Sequence, residues 1–320
     1  MNNIFNKLDQ KEAPKEGFFH VESISDEHDH LLGLDTKKNI ILLIKCKEDE
    51  NINAISSRGE YLDILYQHKC KIKNEEKELE EVYTVLSMKS NGKILVNTFL
   101  NICEHILNEL GQFPDLKETI NTLESIKKLF SKLINKSSKT ELGLWGELFL
   151  IYISKDYEYL IDSWHNKNTD TFDFNDGTYK IEVKSTTLSE RKHNFSLQQL
   201  SDNISNKVVV CSIMTSQIDL GCSIMELVNK ISKNLSVDYK LKLNEKIMSI
   251  AGKDIEIFKN KFDINTAKRK LKFYETAIIP SIKKEGISKD VSNIKFTSSL
   301  ENIDSIDNIA FEKGLLSRIQ

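Results

Sequence analysis

The sequence predicts a mixed α/β (α+β) fold, and three observations carry that reading. Between residues 18 and 89 short β-type runs alternate with turn signals. From residue 93 the apolar positions change to helical spacing. From Thr140 onward the expected order is helix, three strands, helix, strand, with a tight hairpin over 171–185. The predicted organisation is a β-rich N-terminal module over 1–112 and a second domain over 113–320 with a helical and β C-terminal extension.

Composition narrows the class. Hydrophobic residues are 39% and charged residues 29% of 320, which is globular rather than disordered. The net charge of −3 excludes a polycation wrapped along nucleic acid, so any DNA-binding surface has to be a local patch. Residues 223–290 hold such an excess, with 15 Lys/Arg against 9 Asp/Glu. The five cysteines are scattered without zinc spacing and read as reduced, buried thiols. The first residues lack a signal-peptide core and no 18-residue apolar run occurs, so a cytoplasmic protein with no membrane partner is expected.

In chain order, residues 1–16 read as a polar lead-in. Strands are expected over Phe18–Ile24, Asn39–Lys47, Leu62–Ile72 and Val82–Lys89, with turns at Ser57-Arg58-Gly59 and Asn91-Gly92. Ile40–Ile44 is continuously apolar, as in a strand covered on both faces. This module reads as a packing or dimerisation element, or alternatively as a DNA reader. Two amphipathic helices follow: one over 93–110 (Leu95, Phe99, Ile102, Ile106, Leu110), one after Pro114 (Leu116, Ile120, Leu123, Leu129, Phe130, Leu133). A linker over Asn135–Lys139 precedes a helix over 140–155 with Thr140 as its N-cap. A strand at 158–164, the hairpin, a helix beginning near Ser196 and a buried strand over Lys207–Ser212 complete the core. Helices at 222–235 and 241–251 and strands at 270–279 and 293–297 make the extension.

The chemistry converges on the hairpin. Asp176-Gly177 is a strong turn signal because Gly177 accepts positive φ without steric cost. With the turn centred on that pair, Asp173 pairs opposite Lys180. Glu182 and Lys184, two apart on the second strand, leave the same face as Asp173, while Ile181 and Val183 leave the other. An Asp, a Glu and a Lys on one polar face describe a divalent metal site with a lysine beside it; the plain alternative is a charged surface hairpin. Asp170 and Asp176 are lesser candidates, and turn chemistry accounts for Asp176 by itself. On the preceding helix Glu147 projects among Leu144, Leu148 and Ile151, so it needs a partner, either the metal or a structural Arg or Lys.

At these residues the chain resembles the PD-(D/E)XK, or restriction-endonuclease-like, superfamily. Asp173 matches the first acidic position and Glu182-Val183-Lys184 the E-x-K half; Phe172 stands where the name has Pro. The longer run Glu182-Val183-Lys184-Ser185-Thr186-Thr187, followed by Arg191, His193 and Phe195-Ser196-Leu197-Gln198-Gln199-Leu200, is similar to a bacterial PD-(D/E)XK family found among restriction and phage-defence genes. The resemblance spans about residues 140–215 and implies a restriction-endonuclease-like core and a Mg²⁺-dependent DNA endonuclease, with Mn²⁺ as a substitute. Asp173 and Glu182 would hold the metal with the carbonyl of Val183. Glu147 would assist from its helix, and Lys184 would orient the attacking water, stabilise developing charge or act as base. Gln198 or Gln199, Gln198 for preference, would stand near the metal, and Arg191 and His193 would contact DNA phosphates. Double-stranded DNA, a methyltransferase or ATPase subunit and a second copy in a homodimer are the implied partners. The competing expectation is a catalytically silent DNA-binding or scaffold subunit of such a system.

Overall fold

The computed structural model describes residues 1–319 except 50, 51, 53, 74–77, 91, 132–138, 165–170, 201–206, 284–286, 289 and 307–313. The chain forms two compact units: Met1–Ser137 with Lys240–Glu256, and Ser138–Tyr239 with Ile257–Gln320. The division falls later than the expected 112/113, because the helix after Pro114 belongs to the first unit.

The first unit opens with α1 (Asn2–Asp9), where a loose lead-in was expected; Leu8, completely buried, pins this helix. Strands β1 (Phe18–Ser25), β2 (His28–Leu34), β3 (Ile40–Ile44), β4 (Ser57–Arg58), β5 (Leu62–Lys73) and β6 (Glu78–Met88) form one sheet in the order β1-β2-β3-β6-β5-β4. Phe18–His20 also pairs in parallel with Lys71–Lys73, which closes the sheet on itself. Inside it Val21, Ile41, Leu43, Cys70, Ile72, Tyr83 and Val85 make a core. All five residues of β3 are buried, as continuous apolarity predicts. The sequence missed β2, whose His28-Asp29-His30 start hides its apolar second half. Helices α2 (Lys93–Leu110) and α3 (Leu116–Ser131) stand where their apolar spacing puts them.

The second unit begins with α4 (Glu141–Ile153), capped by the Thr140 hydroxyl, which accepts from the Gly143 amide. Most of the expected linker, 135–138, lies outside the described residues. The chain then forms α5 (Tyr157–Ser163) where a strand was expected at 158–164. Asp156 decides this locally: its carboxylate accepts from the Tyr159 amide at 3.1 Å and starts a helical turn that β-prone Tyr and Ile residues would otherwise disfavour. Next come β7 (Phe174–Asn175), β8 (Tyr179–Thr186), β9 (Lys192–Ser196), β10 (Lys207–Met214) and β11 (Gln217–Cys222), then α6 (Ile224–Ser232). Helix α7 (Val237–Ala251) returns from Lys240 onward to the first unit. The chain continues with α8 (Ile264–Lys270), β12 (Lys272–Glu275), β13 (Lys295–Ser299) and α9 (Gly314–Ser317). The helix expected near Ser196 is a turn over 197–199, and 201–206 lie outside the described residues.

The central sheet runs β12-β10-β8-β7, with β8 parallel to β10 and the other pairs antiparallel. Strands β9 and β13 form a separate antiparallel ribbon. Helix α4 lies so close to β8 that a Cβ on Gly146 would meet Ser185 Oγ at 1.9 Å, so any larger residue would force the Ser185 hydroxyl to turn away. The five cysteines are free and buried. Among the described residues no helix is long and apolar enough to cross a membrane.

Candidate active site

The hairpin closes with a register that moves the predicted pairing. Phe174 pairs with Ile181 and Asn175 with Lys180, leaving a four-residue loop, Asp176–Tyr179. Gly177 sits in it at φ +87°. Asp176 holds the loop: one oxygen accepts from the Thr178 and Tyr179 amides, the other from the Leu315 amide and the Tyr159 hydroxyl. Continued one step, the register sets Asp173 opposite Glu182 rather than Lys180. A shift of two preserves parity, so Asp173, Glu182 and Lys184 still share a face.

Buried neighbours pin each acidic side chain. Phe174 is fully buried and stacked on Trp164, a burial contributing about 2 kcal/mol, and it fixes the backbone next to Asp173. Asp173 Oδ2 accepts from the Val183 amide at 2.7 Å. The Trp164 indole donates to Glu147 Oε2 at 2.7 Å. Lys139 Nζ bridges Glu147 Oε1 and Asp173 Oδ1, joining helix and hairpin through one ammonium. Burial opposes the charge on Lys139, but the Asp173 and Glu147 carboxylates outweigh it and raise its pKa.

Glu182 is only 4% exposed. Its Oε1 pairs with Lys184 Nζ at 2.8 Å and accepts from Gln199 Nε2 at 2.5 Å. Its Oε2 is buried with no hydrogen-bond partner. Burial and the Asp173 carboxylate push its pKa up to about 8, against the pull of Lys184 and Lys139. Lys184 is further placed by Phe195, whose ring centroid is 5.3 Å from Nζ.

A cleft of about 760 Å³ opens over this group. Asp173, Glu147, Glu182, Val183 and Lys184 all line it, as do Lys139, His193, Gln199 and the exposed Lys192, Asn194 and Lys295 of the β9–β13 ribbon. Three sequence expectations are corrected here. Gln199, not Gln198, reaches Glu182, because the turn at 197–199 folds its side chain back to accept from the Ser196 amide at 2.9 Å, while Gln198 is exposed. Arg191 does not face the cleft: its buried guanidinium donates to Ser212 O and Oγ and to the Lys270 carbonyl. His193 lines the cleft, but its Nε2 bonds the Ser212 hydroxyl at 2.7 Å. Burial first, then Arg191 and Lys184, lower its pKa to about 3, so the ring is neutral and structural. Asp170 lies outside the described residues.

Sequence reasoning missed Lys139 and Trp164, and of the Gln198–Gln199 pair it preferred the wrong member. Lys139 stands 8 positions from Glu147 and 34 from Asp173 in the chain; no local pattern links them. The buried, partnerless Glu182 Oε2 and the carboxylates of Asp173 and Glu147 fit a hard divalent cation. Lys139 stands between two of these acids, and among the described residues no group of three His, Cys, Asp or Glu is placed to hold a metal.

An aspartate tied to the Glu-x-Lys strand, beside a helix bearing a third acid, is the arrangement that the resemblance to the PD-(D/E)XK class implies. A family model described as "Putative PD-(D/E)XK family member, (DUF4420)" matches residues 1–301, and the chain belongs to this family. The match extends well beyond the 140–215 stretch in which the resemblance is legible and takes in the β-rich unit. Members of the superfamily are usually nucleases and generally use divalent metals. No curated protein and no solved structure matches the chain.

Proposed function

We propose that the protein is a metal-dependent deoxyribonuclease of a bacterial restriction or phage-defence system. The observation that carries this reading is the juxtaposition of Asp173, Glu182 and Lys184 in one cleft, with Glu182 Oε2 buried and unsatisfied. A buried carboxylate oxygen without a partner costs several kcal/mol as an order of magnitude, and a cation relieves that cost.

Asp173 and Glu182 would hold Mg²⁺ or Mn²⁺, with Glu147 close by and the carbonyl of Val183 as a further donor. When bound, such a cation neutralises phosphate charge and lowers the pKa of water. The chain's own residues do the rest. Val183 N–H and Trp164 orient the Asp173 and Glu147 carboxylates. Gln199 and Phe195 hold Lys184 beside Glu182, one pleat from the metal ligands, where its ammonium meets a phosphate oxygen or the attacking water. Lys192, Asn194 and Lys295 form the polar wall along which a DNA backbone lies, in place of Arg191 and His193. A methyltransferase or ATPase subunit, and a second copy of the chain, are the protein partners this reading expects.

The test is incubation of the purified chain with supercoiled plasmid and Mg²⁺ or Mn²⁺. Nicking or linearisation that chelator abolishes and Asp173→Ala lacks is the expected result. The second reading, a DNA-binding subunit that does not cut, draws on Lys139, whose ammonium satisfies Glu147 and Asp173 without any metal. Metal-independent DNA binding with no cleavage under any condition favours that second reading.

A further inference from the structure

We propose that Lys139 is the resident counter-cation of the acidic cluster, and that a divalent ion enters only as the Lys139 ammonium leaves Asp173. The inference rests on the metal-dependent reading above and adds a competitor to it. The three acids offer six oxygens, and five are engaged. Glu147 Oε1 and Asp173 Oδ1 contact Lys139 Nζ, Glu147 Oε2 takes the Trp164 indole, Asp173 Oδ2 takes the Val183 amide, and Glu182 Oε1 takes Lys184 and Gln199. Glu182 Oε2 alone has no partner. A cation shared by Asp173 and Glu182 finds an open oxygen on Glu182, whereas on Asp173 it meets the Lys139 ammonium at Oδ1, and an ammonium and a dication on one carboxylate repel each other.

The partners differ in how easily they leave. The Val183 amide is backbone in the central sheet, and Trp164 is fully buried and stacked on Phe174. The Lys139 side chain is 23% exposed at the cleft wall, and it precedes the Thr140 cap rather than lying within α4. Its ammonium can swing to water by rotamer changes alone, which leaves the helix and sheet in place. Charge favours the exchange. With Glu182 ionised, three carboxylates against Lys139 and Lys184 leave one negative charge, and a dication in place of the Lys139 ammonium balances these named charges. Lys139 is thus a positioning residue: it keeps Glu147 and Asp173 together in the metal-free protein and sets the threshold for metal entry.

The test is calorimetric titration of the full chain with Mn²⁺, without DNA, comparing wild type with Lys139→Met. The expected result is binding about tenfold tighter in the variant, with a lower melting temperature before metal and a larger rise on adding it. Wild type that binds Mn²⁺ while Lys139→Met binds no tighter overturns the inference and leaves the nuclease reading intact. No Mn²⁺ binding by either protein overturns the metal reading, and the inference with it. Should Lys139→Met fail to fold, amine labelling of the wild type read by mass spectrometry decides. Mn²⁺ is expected to raise labelling of Lys139, and unchanged or reduced labelling in a protein that binds Mn²⁺ overturns the inference.

Discussion

Asp173 takes a 2.7 Å hydrogen bond from the backbone amide of Val183, the middle residue of Glu182-Val183-Lys184. The first acidic position of the motif is thus tied directly to the second half of it, whatever occupies the cleft. Asp173→Ala leaves the buried Val183 N–H without an acceptor and Lys139 short of one carboxylate. A decrease of about 1–3 kcal/mol in stability is expected, together with abolished metal binding. Asp173→Asn keeps an oxygen for Val183 and is expected to melt closer to wild type while still failing to bind Mn²⁺. Equal metal affinity in either variant, by calorimetry, would remove Asp173 from the ligand set.

Lys184→Ala is expected to fold, bind DNA and bind metal, but to cut about 10²–10³-fold more slowly in single-turnover assays with enzyme in excess. Lys184→Arg is expected to restore little, because a planar guanidinium cannot stand in the ammonium's place between Glu182, Gln199 and Phe195. Wild-type cleavage by Lys184→Ala would put the reaction elsewhere.

Arg191 and the ribbon lysines separate stability from binding. Arg191→Ala takes a donor from the buried Ser212 carbonyl and hydroxyl and leaves a cavity in place of the guanidinium, so chemical denaturation is expected to show destabilisation by about 2–4 kcal/mol. Lys192→Ala and Lys295→Ala, both at exposed positions, are expected to leave stability within about 0.5 kcal/mol. Each is expected to lower the slope of log affinity for DNA against log salt by about 0.9 for every phosphate that the side chain neutralises in the wild type. Unchanged slopes in the double variant would clear the β9–β13 ribbon of a DNA role.

His193 makes a prediction in pH. Its folded pKa of about 3 lies below the ordinary 6.5, so the unfolded chain binds the proton more readily between those values. The stability of the neutral, Ser212-bonded ring is fully present above about 6.5 and is lost as pH falls toward 3, at up to about 1.4 kcal/mol per pH unit. His193→Gln can keep a bond to the Ser212 hydroxyl without a titrating group. Its denaturation midpoint is expected to fall less than that of wild type between about pH 7 and pH 5. Parallel curves for the two proteins would show that His193 protonates without cost in the fold.

The alternation Lys180-Ile181-Glu182-Val183-Lys184 and the Asp-Gly turn were sufficient to bring Asp173, Glu182 and Lys184 to one face. A strand has a period of two, and a hairpin turn of even length preserves parity, so even the displaced register left that face intact. The helices α2, α3 and α4 were legible for a similar reason: apolar spacing and the Thr140 cap are local properties of the chain. The strand expected at 158–164 failed because its composition is ambiguous, and one capping hydrogen bond to Asp156 tipped it to helix.

Which residues form the acid–lysine face was readable from the chain, because that face follows from periodicity along a single strand and one turn. Only the tertiary structure decided which groups complete it. Lys139, Trp164 and Gln199 stand 8, 17 and 17 positions along the chain from the acids they reach, and Lys139 stands 34 from Asp173. Arg191 and His193 turned inward for the same reason. A basic side chain next to a motif carries no sign of whether its partner is a phosphate outside or Ser212 inside. That choice is made when β9 and β10 pack together and the buried donors and acceptors must be satisfied.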